Sequence, residues 1–299
     1  MKQTALALAI AAISTTSMAS ELSAGANTKF EVNVEVGAYH LSKKSNAGVN
    51  VKDMMGKGLN QIEVKAAHKL NDDITLLGEI EIDYDPIIDN DTVKTDDMRV
   101  GFASKSFGTF VVGQFDSFYE DKVAEALDVF HGDNPFVSEP ASSNDGKHLQ
   151  WLKKTGDLTL AADLTFSKNG NDTDTGTAFT ASYQFGDLTV TGGVSDVAKF
   201  KTDGTTAANN TDKKAMGLAL TYAVSKDTKV MGRWSQTENT SAVKTKYTGV
   251  AISHKMGDWH LGAAMQQVKA DGKSSRNEFG AGVGYQIYKG MMVYADLGR

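Results

Sequence analysis

Apolar and polar residues alternate along most of the chain. In residues 158–166, "LTLAADLTF", an apolar side chain occupies every second position. A period of two places alternate side chains on opposite faces of an extended chain, so the pattern predicts β-strands. We count fifteen such segments in the sequence, at about 28–39, 60–70, 73–85, 95–107, 109–115, 147–154, 158–168, 177–186, 188–197, 214–224, 228–238, 244–256, 258–269, 277–288 and 291–299.

The connections between these segments alternate in length. Short ones carry Gly or Asx turn signals, as in Gly156-Asp157 and Gly186-Asp187. Longer polar ones lie between them, at about 41–59, 86–94, 116–146, 169–176, 198–213, 239–243 and 270–276. The rhythm predicts an antiparallel up-and-down sheet with tight turns at one end and loops at the other.

The first nineteen residues have the features of a secretory signal peptide. Lys2 precedes the apolar run Ala5–Ile13, and Ser17-Met18-Ala19 provides small residues for cleavage before Ser20. The run is too short for a transmembrane helix, and no later stretch approaches eighteen apolar residues. We therefore expect a signal peptide over 1–19 and one domain over 20–299.

A secreted chain of alternating strands fits a transmembrane β-barrel, in which one face of the sheet meets lipid and the other meets a polar lumen. The alternative is a secreted soluble β-sandwich or solenoid, where the same alternation occurs but regular hairpins are less common. The sequence has no Cys, which excludes a thiolate metal site, and its net charge of −6 disfavours nucleic acid as a partner.

Two stretches carry a family resemblance. "FGTFVVGQFDSFYED", residues 107–121, resembles the turn and strand before the constriction loop of Gram-negative general porins, with Gln114 in place of the usual Arg. "NDGKHLQWLKKTGDLTLAADLTFS", residues 144–167, resembles the strands that follow that loop. The resemblance implies a sixteen-stranded barrel in the bacterial outer membrane, a homotrimer, and a third external loop, here 116–146, that folds into the pore.

The predicted constriction loop is acidic. Residues 116–146 contain eight Asp and Glu residues but a single base, Lys122. Val123, Leu127 and Phe130 have helical spacing, which predicts a short helix against the inner wall. The alternative is that the loop is acidic only because it is solvated. We expect its acids to be the constriction charges, namely Asp116, Glu120, Asp121, Glu125, Asp128 and Asp133.

Strand parity predicts the residues of the facing wall. If Ile62 and Val100 face lipid, their polar neighbours face the lumen, and bases opposite acids would then orient dipolar solutes. The alternative is that these charges are scattered and solvated. The predicted wall residues are Glu63, Lys65, Lys69, Glu79, Glu81, Asp83, Arg99, Lys105, Lys229 and Arg233.

Catalytic and cofactor signatures are weak. Residues 280–284, "GAGVG", lie in strand sequence and do not open a helix, the six His have no zinc spacing, and no nucleophile motif is present. Asp-rich residues 89–97 and 169–176 lack the pattern of an EF-hand loop, so we interpret them as solvated loops rather than calcium sites. We expect no enzyme activity, metal or cofactor.

The sequence therefore predicts an outer-membrane porin for passive diffusion of small hydrophilic solutes and ions, with a mild preference for cations. The alternatives are a barrel selective for a sugar or an anion, and a surface β-protein without a pore. Small and aromatic residues on both faces of the strands around 101–115 suggest a wall that the loop covers on the inside and a trimer neighbour covers on the outside. Because bacterial barrels have even strand numbers, fifteen strands lead us to expect a further closing strand after residue 299.

Overall fold

The protein is an all-β, antiparallel, up-and-down sheet. The computed structural model describes residues 12–14, 20–23, 27–35, 39–44, 50–55, 61–85, 92–130, 147–169, 172–196, 212–239, 242–288 and 291–298. Fifteen long strands follow one another in chain order. They are β1 Thr28–Glu35, β2 Gln61–Lys69, β3 Ile74–Asp85, β4 Thr92–Ser104, β5 Gly108–Gln114, β6 Lys147–Thr155, β7 Leu158–Asn169, β8 Asp172–Phe185, β9 Leu188–Asp196, β10 Asp212–Ser225, β11 Thr228–Asn239, β12 Lys244–Met256, β13 Trp259–Ala270, β14 Arg276–Tyr288 and β15 Met291–Gly298.

Every long strand pairs with the long strands before and after it in the sequence, and all pairings are antiparallel. Two short N-terminal segments extend the sheet at its two ends. Ser20–Ser23 pairs with β1, and Ala12–Ser14 pairs with β15. Within the described residues no ladder joins these two segments, so the sheet is not closed there. Ala12–Ser14 lies inside the predicted signal peptide, which stays a prediction.

The fifteen predicted strands are confirmed, and three predicted loops differ from expectation. The strand β4 begins at Thr92, so the described parts of the predicted loop 86–94 and of the Asp-rich segment 89–97 are strand rather than solvated loop. The segment predicted as loop 41–59 contains part of a separate hairpin, Tyr39–Lys44 paired with Asn50–Met55. The predicted loop 169–176 is mostly strand, because β7 and β8 stay paired up to Asn169 and Asp172. Thr173 and Thr175 favour this extension, since β-branched residues fit a pleated surface.

Three of the tight turns share one construction. Gly156, Gly186 and Gly257 have φ values of 58°, 58° and 62°, a left-handed conformation that residues with a Cβ adopt at a cost. The carbonyl of the Asp that follows each glycine accepts a hydrogen bond from the next hairpin, as in Gln184 N to Asp157 O at 3.0 Å. The turn end of the sheet is therefore joined from hairpin to hairpin.

The two faces of the sheet differ in exposure. Large apolar side chains on one face are exposed, and Val100 retains 57% of its accessible surface. Aromatic pairs lie on strands next to the tight turns, including Tyr183 with Phe185 and Trp259 with Tyr285. An apolar band with aromatic residues near its edge is typical of the lipid face of a transmembrane barrel. No helix among the described residues is long and apolar enough to span a membrane.

One exposed carboxylate ties two neighbouring turns together. Asp73, in the turn between β2 and β3, accepts hydrogen bonds from Ser104 Oγ at 2.9 Å and from the backbone N–H of Ser106 at 3.0 Å. The hydrogen bond from Ser104 is the main reason that the pKa of Asp73 is lowered. Because β4 ends at Ser104, Lys105 lies in a turn and not on the strand where parity placed it.

Candidate functional site

The segment after β5 is a compact loop against the inner face of the sheet. We call residues 115–130 the inner loop. It contains a turn of π-helix at Glu120–Ala124, closed by a hydrogen bond from Glu125 N to Glu120 O of 3.0 Å. Ser117 Oγ accepts the N–H of Glu120 at 3.2 Å. The predicted short helix is therefore present, one turn long.

One face of the inner loop packs against the sheet. Tyr119, Val123 and Ala124 form a buried cluster with Ala178 of β8 and Ala215 of β10. A second cluster brings Leu127, with no exposed surface, against wall residues of β11, β12 and β13, with Val129 and Phe130 beside it; the wall residues are Met231, Ala251 and Ala264. The apolar spacing in the sequence thus marks the face that meets the wall.

The opposite face of the inner loop is acidic. Asp116, Asp121, Glu125 and Asp128 are exposed on it, with Lys122. Glu120 differs, since only 3% of its surface is exposed and it lies on the wall side. Its helical spacing from Val123, three residues later, accounts for this placement. Asp133, the sixth predicted constriction acid, lies outside the described residues.

Polar groups anchor the beginning of the inner loop. The Phe115 ring lies between Arg99 of β4, whose Cζ is 5.6 Å from the ring centroid, and the His148 ring of β6, centroid to centroid 5.2 Å. The buried carboxylate of Asp163 on β7 accepts hydrogen bonds from Gln150 Nε2 at 2.7 Å and from the backbone N–H of Phe118. These contacts fix where the chain leaves β5.

Arg233 of β11 holds the middle of the inner loop. Its guanidinium donates hydrogen bonds to the carbonyl oxygen of Ala124 and to Gln266 Oε1 of β13. Gln266 Nε2 in turn donates to Glu278 Oε2 of β14 at 2.7 Å, and Arg276 pairs with the other oxygen of Glu278 at 2.8 Å. Arg233 faces inward, as parity predicted, but it is 5% exposed and contacts the loop backbone.

The wall of β1 to β4 carries a row of charges that alternate in sign. Glu31, Lys65, Glu79 and Arg99 are direct register partners across these four strands. Arg99 binds Glu79 through two hydrogen bonds, Nε to Oε2 at 2.9 Å and Nη2 to Oε1 at 2.6 Å. Lys65 Nζ lies 2.5 Å from Glu63 Oε1 and 3.9 Å from Glu79. The row therefore largely neutralises itself.

The remaining predicted wall residues are spread along the strands. Lys69 lies at the turn end of β2, where it pairs with Asp72 at 2.7 Å, and Lys229 is the second residue of β11. Glu81 is the direct register partner of Glu63. The backbone of Asp83 is in β3, but its side chain lies outside the described residues. The structure thus groups Glu63, Lys65, Glu79 and Arg99, and it separates Lys69, Lys105 and Lys229 from them.

Partial desolvation shifts the ionisation of two inner-loop side chains, the exposed Asp121 and the buried Tyr119. Desolvation raises the pKa of Asp121 above its usual value, while the charges of Lys122 and Arg99 act in the opposite direction. Desolvation likewise raises the pKa of Tyr119, so this phenol stays neutral at physiological pH. Asp121 therefore loses its charge at a higher pH than an ordinary Asp does.

Some residues of the site were not predicted from the sequence. Gln150, Asp163 and Gln266 are polar residues in strands, and only inward parity marked them. The inward glycines under the inner loop were also missed, although a glycine inside a strand signals a close approach of another group. The described residues contain no group of three or more His, Asp or Glu side chains placed to bind a metal ion.

Comparison with known families decides the membership of this chain. A family model described as Gram-negative porin matches residues 5–299, which is almost the whole chain. The chain is a Gram-negative porin. Members of this family lie in the bacterial outer membrane, and we place this porin there. No curated protein sequence is significantly similar to it.

Solved porin structures share the fold of this porin at low sequence identity. OmpF of Salmonella typhi, in a complex with daunomycin, is 14% identical with a TM-score of 0.70, covering 93% of this chain and 99% of its own. OmpT of Vibrio cholerae, in its trimer form, is 16% identical with a TM-score of 0.63, covering 98% and 88%. An anion-selective porin from Comamonas acidovorans is 12% identical with a TM-score of 0.66, covering 97% and 88%. These similarities concern the fold alone.

Proposed function

We propose that this porin forms a water-filled channel for passive diffusion of small hydrophilic solutes and ions, without catalysis and with a mild preference for cations. The observation that carries the proposal is the orientation of the inner loop. Its apolar face packs on the inner side of the sheet, and its acidic face is exposed. A loop placed this way narrows the lumen and gives the narrowed part a negative surface.

The sign of the selectivity follows from the balance of exposed charge. The inner loop exposes four acidic residues and one basic residue, Lys122. On the facing wall, Lys65 and Arg99 are paired with Glu63 and Glu79, so they offer little free positive charge. We therefore propose that the inner loop, and not the wall, sets a modest cation preference, with Asp116, Asp121, Glu125 and Asp128 as the constriction charges.

The competing function is a channel selective for one class of solute, such as a sugar or an anion. A cavity of about 530 Å³ lies against β1 to β6, where the charged row borders apolar side chains including Leu77, Val111 and Leu152. Such a mixed lining suits a bound solute. The similarity to an anion-selective porin also means that this fold is compatible with the opposite ion preference.

Recording from planar lipid bilayers separates these functions. Stepwise ohmic currents from the purified porin, with a cation-directed reversal potential in a KCl gradient, would support the diffusion channel. Currents that one sugar blocks, or an anion-directed reversal potential at low salt, would support the selective channel. A folded protein that produces no steps would contradict both. Because the Debye length shrinks from about 10 Å at 0.1 M salt to about 3 Å at 1 M, the preference should weaken as salt rises.

We further propose that the porin is a homotrimer, exported with residues 1–19 as a cleaved signal peptide. The outer side of β4 and β5 supports the trimer, because Met98, Val100, Phe102 and Val112 are exposed there and the rings of Phe102 and Phe110 stack at 5.3 Å. Cross-linking of intact outer membranes tests the assembly, and a band at monomer mass alone would contradict it. N-terminal sequencing of the exported protein should begin at Ser20.

A further inference from the structure

Five inward glycines lie beneath the inner loop, on five different strands. They are Gly193 of β9, Gly217 of β10, Gly249 of β12, Gly262 of β13 and Gly282 of β14. Each stands between inward positions that are buried or half-buried, such as Ala215 and Ala219 on either side of Gly217. At these five positions, where the loop crosses the wall, no side chain therefore projects from the inner face.

Each glycine receives a different residue of the inner loop, in matching order. A Cβ added at Gly193 would lie 2.8 Å from Tyr119 Cδ2, at Gly217 2.6 Å from Val123 Cγ1, and at Gly249 2.5 Å from Leu127 Cδ1. At Gly262 it would lie 2.5 Å from the carbonyl oxygen of Val129. At Gly282 it would meet the Asp296 carboxylate of β15 first, with Phe130 Cδ1 of the loop at 3.2 Å. Contacts below 3 Å are closer than non-bonded atoms tolerate, so a side chain at any of the first four glycines would conflict with the loop.

The strand between Gly217 and Gly249 holds the loop with Arg233 instead. Gly249 is the register partner of Arg233 on one side and of Gln266 on the other. With no side chain at Gly249, the guanidinium of β11 reaches across β12 to Gln266 Oε1 and also binds the carbonyl of Ala124. The same glycine therefore admits Leu127 and the hydrogen bonds that anchor the loop.

We propose that these glycines and Arg233 are positioning residues that set the width of the pore. They let the inner loop lie directly on the wall backbone, so that the lumen keeps the cross-section that a side chain beneath the loop would take away. A methyl group added under the loop pushes its acidic face towards the opposite wall. This inference rests on the proposed channel function and names the residues that determine its size limit.

The test uses Gly217→Ala, because its nearest contact is the end of a loop side chain. In about 1 M KCl, where charge effects are screened within about 3 Å, single-channel conductance reports mainly on width. We expect Gly217→Ala to lower the conductance and the uptake rate of the larger neutral sugars. Val123→Ala added to Gly217→Ala removes the conflicting methyl groups and should restore both, a non-additivity that only contacting residues show.

Two further variants keep the test decisive. Gly192→Ala changes the neighbouring glycine of β9, where the nearest atom to the new Cβ is Leu218 Cδ1 at an ordinary 3.5 Å, and should leave the conductance unchanged. Val123→Leu overfills the Gly217 contact from the loop side, so it should lower the conductance even if Gly217→Ala fails to fold. Heat-modifiable migration in gels confirms the folded sheet.

The outcomes separate this inference from the channel proposal. A folded wild-type protein that never conducts contradicts the proposed function. A wild-type protein that conducts, with Gly217→Ala or Val123→Leu indistinguishable from it, overturns the positioning role alone. Failure of Val123→Ala to rescue Gly217→Ala also overturns it, because the effect would then come from strain within the wall.

Discussion

The two inner walls of this porin use polar alternation in different ways. Between β1 and β4 the inward side chains are long and charged, and the row from Glu31 to Arg99 stands open to the cavity. Between β9 and β14 the inner loop covers the wall, where five inward positions are glycine and Arg233 binds the loop backbone. Both walls follow the same period of two. The comparison shows that glycines at the positions which the loop crosses distinguish the wall that supports the loop from the wall that lines the cavity.

The largest effect is expected from truncating Leu127, the inner-loop side chain that is fully buried against the wall. Leu127 is fully buried against Met231, Ala251 and Ala264. Leu127→Ala should weaken the docking of the loop by about 2–5 kcal/mol, the usual range for a buried Leu truncation. We expect single-channel currents that fluctuate between levels. Leu127→Met keeps the volume and should behave nearly as wild type, and steady currents from Leu127→Ala would contradict the docking contact.

Removal of the Arg233 side chain should have a somewhat smaller effect on the same wall. Hydrogen bonds to charged groups are worth about 1.5–3 kcal/mol, and Arg233→Ala leaves the Ala124 carbonyl and Gln266 without this donor. We expect faster cleavage of the inner loop by added protease. Arg233→Lys keeps the charge but not the two-pronged geometry, so its cleavage rate should lie between the two. Equal rates for all three proteins would exclude an anchoring role.

On the wall of β1 to β4, replacement of Arg99 should leave the charge of Glu79 without its partner. Arg99→Gln leaves Glu79 without its bidentate partner and adds net negative charge to the lumen. At about 10 Å in water a unit charge favours a cation and disfavours an anion by about 0.4 kcal/mol each, so at low salt the cation-to-anion permeability ratio should rise by up to about fourfold. Glu79→Gln is the matched control and should shift the reversal potential the other way. The same shift from both would show that the row does not act as paired charges.

Acidification should remove the negative charge of Asp121 from the inner loop. Because desolvation raises the pKa of Asp121, this residue is charged only above that raised pKa and loses its charge at a higher pH than an ordinary Asp. The contribution of Asp121 to the cation preference should therefore be lost at a pH above the ordinary pKa of an Asp. Reversal potentials measured across pH test this, and Asp121→Asn should remove the first part of the decline. A profile that Asp121→Asn leaves unchanged would assign it to another acid.

The smallest expected effect lies at the turn end, away from both walls. The pKa of Asp73 is lowered, chiefly by the hydrogen bond from Ser104. The stabilisation is therefore present above the ordinary pKa of an Asp and is lost as the pH falls through the lowered value. Asp73→Asn should slightly lower the unfolding temperature at neutral pH and flatten its decline in acid. Asp72→Asn is the control, because the Asp72 carboxylate pairs with exposed Lys69 at the end of β2.

The strands and turns were predictable because their signals are local. Alternation such as "LTLAADLTF" and the Gly-Asp turns need only adjacent residues, and both agree with the structure. The helical spacing of Val123 and Leu127 gave the loop helix for the same reason. The same spacing places Glu120, three residues before Val123, on the wall side of the loop. The prediction treated all the loop acids alike and therefore missed this difference.

The seating of the loop was not predictable in this way. Leu127 contacts Gly249, and Phe130 lies beside Gly282. The two residues of each pair are far apart in the chain, and the sequence around each glycine is typical of an ordinary strand. The pairing of Arg99 with Glu79 depended on a register that parity alone does not fix. The hairpin at Tyr39–Lys44 and Asn50–Met55 was missed because residues 41–59 were judged by polarity alone.

The order of the contacts along the chain also has a consequence for folding. Each long strand pairs with its sequence neighbours, so the sheet can grow by successive addition of hairpins at little cost in loop-closure entropy. The inner loop leaves β5 early, but the glycines that receive it belong to β9 and to strands up to β14. During assembly the apolar side chains of the loop cannot be buried until most strands of the wall have formed. We expect the newly formed channel to be wide and leaky at first, and to acquire its narrow passage only as a late event.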